Sequence, residues 1–353
     1  MRSSYREEDV TLLLKDITGL VEPQGTQERE RLIQSGRHYC EMLPIEYVPT
    51  PKYMEIYQQA LTDFAKPTAQ AVGILAQKII KSRGRKVVLV SLARAGIPIG
   101  ILLKHYMKWK YNIEVQHYAI SIIRGRGIDD NAMQYLLKRY QPEQLLFVDG
   151  WVGKGAILGQ LREAVRKYHG VSSELAVVAD PAHITRLYGT REDILIPSSC
   201  LNATVSGLIS RTFLRSDIIG ETDFHGAVYY GELKEADLSY AFIEAIEKEF
   251  VDEALENKET EKYDNVYLGI EEVKKIAWEY QISDINLIKP GIGETTRVLL
   301  RRVPWKVLIS RQHKNDEALA PIIRLAGEKH VPVEYYPLKN YKSCGLIKKL
   351  ADT

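Results

Sequence analysis

The stretch that most constrains this chain is QLLFVDGWVGKGAILGQ, residues 144–160. An apolar run, Leu145 to Val148, ends on one acid, Asp149. Gly150, Gly153, Lys154 and Gly155 follow, and then an amphipathic segment from Ala156 to His169. A buried strand, a glycine-rich turn and a helix start fit this order. Glycines let backbone N–H groups crowd toward an anion, and a helix N-terminus carries roughly half a positive charge. A carboxylate at the strand end is placed for sugar hydroxyls or a metal, so the pattern suits a phosphorylated sugar. Any doubly wound domain also turns this way, so the motif alone is compatible with a purely structural corner. It is not a G-x-x-x-x-G-K-S/T loop, because Gly155, not Ser or Thr, follows Lys154, and it is not G-x-G-x-x-G.

A second stretch, KVVLVSLARAGIPIGILL at 86–103, repeats the theme. A β-branched strand, Val87 to Leu92, runs into Ala93-Arg94-Ala95-Gly96 and an apolar helix. An arginine in such a turn suits a pyrophosphate. Two anion-friendly turns at strand carboxyl ends predict two phosphate sites along one sheet edge, where open α/β sheets bind ligands.

These residues resemble a known family. SLARAGIPIG is similar to the pyrophosphate loop of type I phosphoribosyltransferases, and FVDGWVGKG to their loop for phosphoribosyl pyrophosphate (PRPP). With HYCEMLPIEYVPTP, HYAISIIRGRGID and YGTREDILIPSSCLNATVSGLISRT, nearly the whole chain resembles the phosphoribosyltransferase–PELOTA fusion family of tellurite-resistance and stress-response gene clusters, also labelled the cysteine protease StiP family. The resemblance implies PRPP bound by Ala93, Arg94, Ala95, Gly96, Asp149, Gly150, Val152, Gly153, Lys154, Gly155 and Ala156. It implies magnesium carried on PRPP, with contact from Asp149 and no protein cage. Two departures stand out: Gly150 replaces the second acid of the usual pair, and Val152, Gly153 and Lys154 replace hydroxyl residues around the phosphate.

The chain has 353 residues, which suggests two domains. We expect a phosphoribosyltransferase-like domain over 1–250, an acidic linker over 251–261 and a C-terminal domain over 262–353. The linker belongs to a segment, Glu244 to Glu261, that holds eight acids and two lysines. Residues 262–353 carry 16 basic and 11 acidic groups, a local excess suited to nucleic acid. No apolar run reaches 18 residues, and the charged start MRSSYREEDV lacks a secretory apolar region. Three scattered cysteines, Cys40, Cys200 and Cys344, argue against a disulfide framework and for a cytoplasmic setting.

Strands at Val87–Leu92, Val115–Ser121, Leu145–Val148 and Glu174–Ala179 alternate with helices at Ile97–Lys110, Ala132–Tyr140 and Ala156–Tyr168. Two earlier helices are expected at Tyr53–Phe64 and Ala69–Lys81. The fold class is therefore α/β with a mostly parallel sheet and right-handed crossovers, and the resemblance implies a type I phosphoribosyltransferase-like sheet with a hood. Arg124 and Arg126 lie in a basic loop that the resemblance makes a mobile flap. Asp180 to Arg215 resembles the acceptor-binding hood, with Arg191, Asp193, Cys200 and Asn202 as candidate contacts. Catalytic candidates are Asp149, Arg94 and Asp180, the last as a base or orienting acid.

Residues 262–353 resemble an L7Ae/PELOTA-like α/β sandwich. Gly291-Ile292-Gly293-Glu294-Thr295-Thr296-Arg297 fits G-x-x-E-x-T-K/R, with Gly293 where L7Ae proteins carry Asn. RNA-binding candidates are Gly291, Gly293, Glu294, Arg297, Arg301 and Lys342. A strand is expected at Trp305–Ser310, a helix at Glu317–Lys329, a strand at Val333–Tyr336, and a loop with a final helix at Asn340–Leu350.

Three functions remain open at this level. The first is phosphoribosyl transfer from PRPP to a base-like or RNA-associated acceptor. The second is a catalytically degenerate sensor of nucleotides that also binds RNA, which Gly150 favours. The third is a cysteine peptidase using Cys200, with His183 and His225 nearest in sequence. The resemblance also points to a homodimer, and no membrane partner is expected.

Overall fold

The computed structural model describes residues 1–252 and 268–348. Most of the expected acidic linker, 253–261, lies outside the described residues, as does the Arg301 side chain.

A long helix α1 (Pro51–Arg83) leads into β1 (Val88–Leu92), α2 (Gly96–Tyr111), β2 (Gln116–Ile120), α3 (Asp130–Leu137), β3 (Leu145–Trp151), α4 (Ala156–Val165), β4 (Leu175–Ala179), β5 (Leu187–Thr190) and α5 (Ser239–Glu247). The five strands pair in parallel in the order β2-β1-β3-β4-β5, and Thr11–Leu12 adds a parallel edge beside β2. The strands are buried on both faces, so they read as continuous apolar runs rather than alternating ones. Leu89, Leu146, Val148, Ala176 and Val178 meet α1, α2 and α5. Val88, Val90, Leu145, Phe147 and Val177 meet α3 and α4. Chain order reverses between β1 and β3, and a crevice opens where strands leave such a point in opposite directions.

The two helices expected at Tyr53–Phe64 and Ala69–Lys81 are one helix that runs through Pro67. Proline costs about 3 kcal/mol inside a helix. Burial of Phe64, Thr68, Ala69, Ala71 and Val72 on both sides of it outweighs that local cost. Within the expected hood, Leu187–Thr190 is a strand of the main sheet.

The C-terminal module has α6 (Leu268–Glu279), β6 (Ile288–Pro290), α7 (Ile292–Arg301), β7 (Pro304–Ser310), α8 (Ala320–Glu328), β8 (Val333–Tyr336) and β9 (Ser343–Ile347). Its mixed sheet runs β6-β9-β7-β8. The expected final helix over Asn340–Leu350 is β9. Ser343 to Ile347 are all buried, and β9 pairs antiparallel with both β6 and β7. A central strand buried on two faces needs no amphipathic period, which is why it cannot be told from a short helix by pattern. The modules share apolar contacts: Ile292, Leu299, Leu300 and Val307 belong to the same cluster as Ile196, Cys200 and α1.

Candidate functional site

The two glycine turns lie side by side. Ser91 of β1 is registered with Val148 of β3, so the chain leaves both strands at one level. Gly96 makes the approach feasible. A Cβ there would collide with the Val148 carbonyl oxygen and stand 3.2 Å from the Asp149 Cα. The Ala95 carbonyl oxygen lies 3.7 Å from where a Gly150 Cβ would be. Gly155 has φ +89°, a left-handed conformation that glycine adopts freely, and it caps α4. The Ala93–Arg94 peptide is cis.

Asp149 closes β3 and accepts the Gly150 amide at 2.8 Å. Burial lifts its carboxyl to about 7, against the pull of that amide and of Arg297. Near neutral pH its protonated and charged forms are therefore both populated. Among the described residues no group of three His, Cys, Asp or Glu is set to hold a metal.

The C-terminal module covers this crevice. Trp151, Val152, Gly153, Asp193, Gly291 and Glu294 line what remains of it. The Lys154 ammonium donates to the carbonyls of Ile285 and Ile288, the latter at 3.0 Å. Burial first, then Lys289 and Arg124 nearby, bring it down to about 8. Tyr341 donates to the Gly153 carbonyl at 2.6 Å. The expected phosphate contact Lys154 is thus committed to the neighbouring module.

Asp193, expected to face an acceptor, is buried and faces that module too. It accepts the Ile292 amide at 3.0 Å and the Lys342 amide at 2.8 Å. Gly291, at the N-cap of α7, has no side chain, so Asp193 supplies the cap from the other module. Its carboxyl rises to about 6 through burial, despite the amides.

The other hood candidates divide. Asp180 accepts the Ile184 and Thr185 amides at 2.9 and 2.8 Å and pairs with Arg191. Arg191 is buried and stacks 3.6 Å from the Tyr188 ring centroid. Asp180 Oδ2, held by two amides and a guanidinium, anchors the β4–β5 corner, while its Oδ1 meets no hydrogen-bond partner among the described residues. Asn202 accepts from Arg94 Nη2 at 2.9 Å, and Arg94 Nη1 donates to the Ile209 carbonyl at 2.8 Å. Arg94 is thereby aimed into the hood, not along the β3 turn.

Cys200 is fully buried in the shared core, where a nucleophile has no access to a chain substrate. His225 is engaged with Ser121 at 2.8 Å. A histidine–thiol pair forms elsewhere: His38 Nδ1 lies 2.9 Å from Cys40 Sγ. His38 Nε2 lies 3.1 Å from the Arg124 carbonyl, which only accepts, so Nε2 carries the proton and Nδ1 faces the thiol as an acceptor. Burial raises the Cys40 thiol to about 11. The H-x-C spacing of HYC was the available signal for this pair, and the sequence reading passed over it.

In the basic loop, Arg126 pairs with Glu41 at 2.9 Å, and Arg124 bonds Asn286 of the C-terminal module at 2.7 Å. The loop is exposed but tethered. Of the RNA candidates, Gly291 is buried against Asp193, and Gly293 faces the Ser199 hydroxyl, 3.3 Å from a hypothetical Cβ. Glu294 pairs with Arg297 at 3.1 Å, and Arg297 lies over Trp151 at 5.8 Å. Lys342 pairs with Asp316 at 2.9 Å. The face expected to meet RNA instead meets the first module.

Among the described residues no helix is long and apolar enough to cross a membrane. Two solved structures of a hypoxanthine-guanine phosphoribosyltransferase of Bacillus anthracis, one with HEPES in the active site, are similar over 36% of this chain. They are covered over 77% and 79% of their own lengths, at 13% identity and a TM-score of 0.27, too slight a likeness to carry an argument. Residues 267–349 match the PELOTA RNA binding domain. The protein named cysteine protease StiP of Acinetobacter baylyi is 36% identical over 98% of this chain and 94% of its own. Residues 3–247 match the family described as tellurite-like stress resistance cysteine protease StiP, and with that relative along almost its whole length the chain belongs to the StiP family, carrying a PELOTA domain behind the family's α/β module.

Proposed function

We propose that the α/β module binds a phosphorylated pentose of the PRPP type at the junction of β1 and β3. Its phosphoribosyl group is transferred to a base-like or RNA-associated acceptor, within a stress response of the tellurite kind. The observation that carries this reading is the direct abutment of the Arg94 and Asp149 turns, which Gly96 permits. An acceptor nitrogen attacks C1 of the pentose, the C1–oxygen bond to pyrophosphate breaks, and the acceptor's proton passes to solvent. Asp149 orients the ribose hydroxyls, and backbone amides of the two turns face the phosphates. Magnesium on the donor would neutralise the leaving pyrophosphate.

The C-terminal module binds RNA through the Gly291–Arg297 face in this reading. That face and the sugar-phosphate crevice cover each other, so the described arrangement is a closed form and either ligand enters when Lys154 and Asp193 release their partners. A degenerate sensor would bind PRPP without releasing pyrophosphate. Incubation with PRPP, magnesium and a panel of bases, followed for pyrophosphate, tests transfer; binding without release supports the sensor, and no binding at all overturns the reading.

The family's description favours a second reading, a cysteine peptidase. The His38–Cys40 pair is the observation on its side and makes Cys40 the candidate thiol; Cys40 is as fully buried as Cys200, so this reading also requires the surrounding chain to open for a substrate. Peptide hydrolysis that survives Cys200→Ser and is lost in Cys40→Ser would establish it. Unchanged hydrolysis, or none, in Cys40→Ser and wild type alike would remove it.

A further inference from the structure

The far end of the C-terminal module carries an open groove that neither phosphoribosyl transfer nor peptide hydrolysis uses. It lies where α7 and α8 end and β7 begins, with a volume of about 570 Å³. Buried Val331 and half-buried Pro304 form its base, and exposed Val303, Trp305, Lys329 and His330 its sides. α7 has ten residues, so at 1.5 Å per residue the groove stands about 15 Å from the Gly291 end that the first module covers. No release of Lys154 or Asp193 is needed to reach it.

Trp305 is 39% exposed, and Tyr280 braces it edge-on, with ring centroids 6.1 Å apart and planes at 89°. An indole at the surface beside Val303, 48% exposed, offers ring area for stacking. His330 has φ +54°, in the left-handed region. It follows α8, where its amide donates to the Gly327 carbonyl at 3.1 Å and the Val331 amide to the Ala326 carbonyl at 2.8 Å. Glycine fits this kind of helix ending without strain, and a side chain kept there at a backbone cost is a candidate contact.

Charge completes the pattern. The Lys329 ammonium and the His330 ring make no hydrogen bond or ion pair among the described residues. Lys348 joins the rim through its amide, which donates to the Val303 carbonyl at 2.9 Å. Glu328, the acid in the lining, is already held by Lys52 and by Arg324, the latter at 3.4 Å. Cations at helix ends also offset the partial negative charge there, but that role asks for neither an exposed indole nor a left-handed histidine. An acidic peptide would satisfy the cations and leave the indole uncovered. A nucleotide covers both, with a flat base for the ring and a phosphate for the cations.

We propose that this groove seats single-stranded RNA, one base stacked on Trp305 and the flanking phosphates on Lys329 and His330. The proposal rests on the reading that the C-terminal module binds RNA, and it adds a contact that stays open while the Gly291–Arg297 face is covered.

The test uses the full chain with fluorescein-labelled oligouridylate and oligoadenylate of about ten nucleotides, by fluorescence anisotropy, with thermal unfolding of every variant. Trp305→Ala should weaken binding about 5- to 100-fold and Trp305→Phe far less, since any aromatic ring can stack. Lys329→Ala should lower the slope of log affinity against log salt by about 0.7, the loss of one phosphate contact. His330→Gly separates a binding role from a structural one. It should keep or raise the unfolding temperature, because glycine suits the backbone, and still weaken binding about three- to tenfold.

The proposal is overturned if Trp305→Ala and His330→Gly bind both RNAs like wild type. If Arg297→Ala then abolishes binding, the covered face carries the RNA, and the reading of the module stands without the groove. No RNA binding by wild type at about 100 μM protein sinks both. Binding of a polyglutamate peptide that Trp305→Ala and Lys329→Ala weaken, with RNA left unbound, assigns the groove to an acidic protein segment and overturns the proposal as well.

Discussion

Replacing Gly96 by alanine pits two effects of opposite sign against each other. Gly96 opens α2, and helix propensity alone gives Gly→Ala a gain of up to about 1 kcal/mol. The backbone of Gly96 has no positive φ, so conformation poses no obstacle. Space does. The new methyl would overlap the Val148 carbonyl oxygen and press within 3.2 Å of both the Val148 carbonyl carbon and the Asp149 Cα. These are backbone atoms of β3, so no side chain can swing away. Overpacking of this kind costs about 1–3 kcal/mol, and more when backbone must move. We therefore expect Gly96→Ala to lose about 1–3 kcal/mol in urea unfolding and to separate the two turns. Gly159 provides the control. It lies inside α4, and nothing stands within 4 Å of a Cβ added there, so Gly159→Ala should gain about 0.5–1 kcal/mol. Two variants of the same chemistry should thus shift the midpoint in opposite directions. A Gly96→Ala protein as stable as Gly159→Ala would refute the claim that the turns are in forced contact.

Asp193→Ala strands the Ile292 and Lys342 amides, each worth about 1–3 kcal/mol when buried and unmet, so hydrogen exchange at residues 288–296 should accelerate; unchanged exchange contradicts the capping role of Asp193. Asp149, at about 7, and Asp180 and Asp193, each at about 6, stand above their ordinary 3.8, so their charged forms weaken the fold above pH 7. That penalty is relieved as pH falls toward 4, and Asp149→Asn should flatten the pH 5–7 part of the unfolding profile. His105 works the other way at the alkaline end. Burial opposes its charge, but Asp9 and Glu247 overcome this and raise it to about 9. Its stabilisation is complete below pH 6.5 and lost as pH rises through 9; His105→Asn should remove that loss when unfolding temperatures at pH 6 and 10 are compared.

The parallel sheet was legible because doubly buried strands such as Leu145–Val148 are apolar throughout and end in glycine turns. The adjacency of the Arg94 and Asp149 turns followed from strand-end chemistry plus the rule for open sheets. What the sequence hid depends on distant partners. Lys154 meets Ile285 and Ile288, and Asp193 meets Ile292 and Lys342, more than 90 residues away in the chain. No local pattern distinguishes a lysine waiting for a phosphate from one bonded to carbonyls. Asp180 ends an expected strand and Arg191 lies in a polar segment that resembles the acceptor hood, so each looked like a site residue; the structure pairs the two, eleven residues apart. The strand Ser343–Ile347 was misread because a short central strand carries no period.

Titration of the full chain with PRPP and magnesium, wild type against Asp149→Asn, tests the central claim most directly. Saturable one-to-one binding, weakened tenfold or more by the substitution, is the expected result. No saturable binding by wild type, or identical affinity in both proteins, would contradict a sugar-phosphate site where β1 and β3 part.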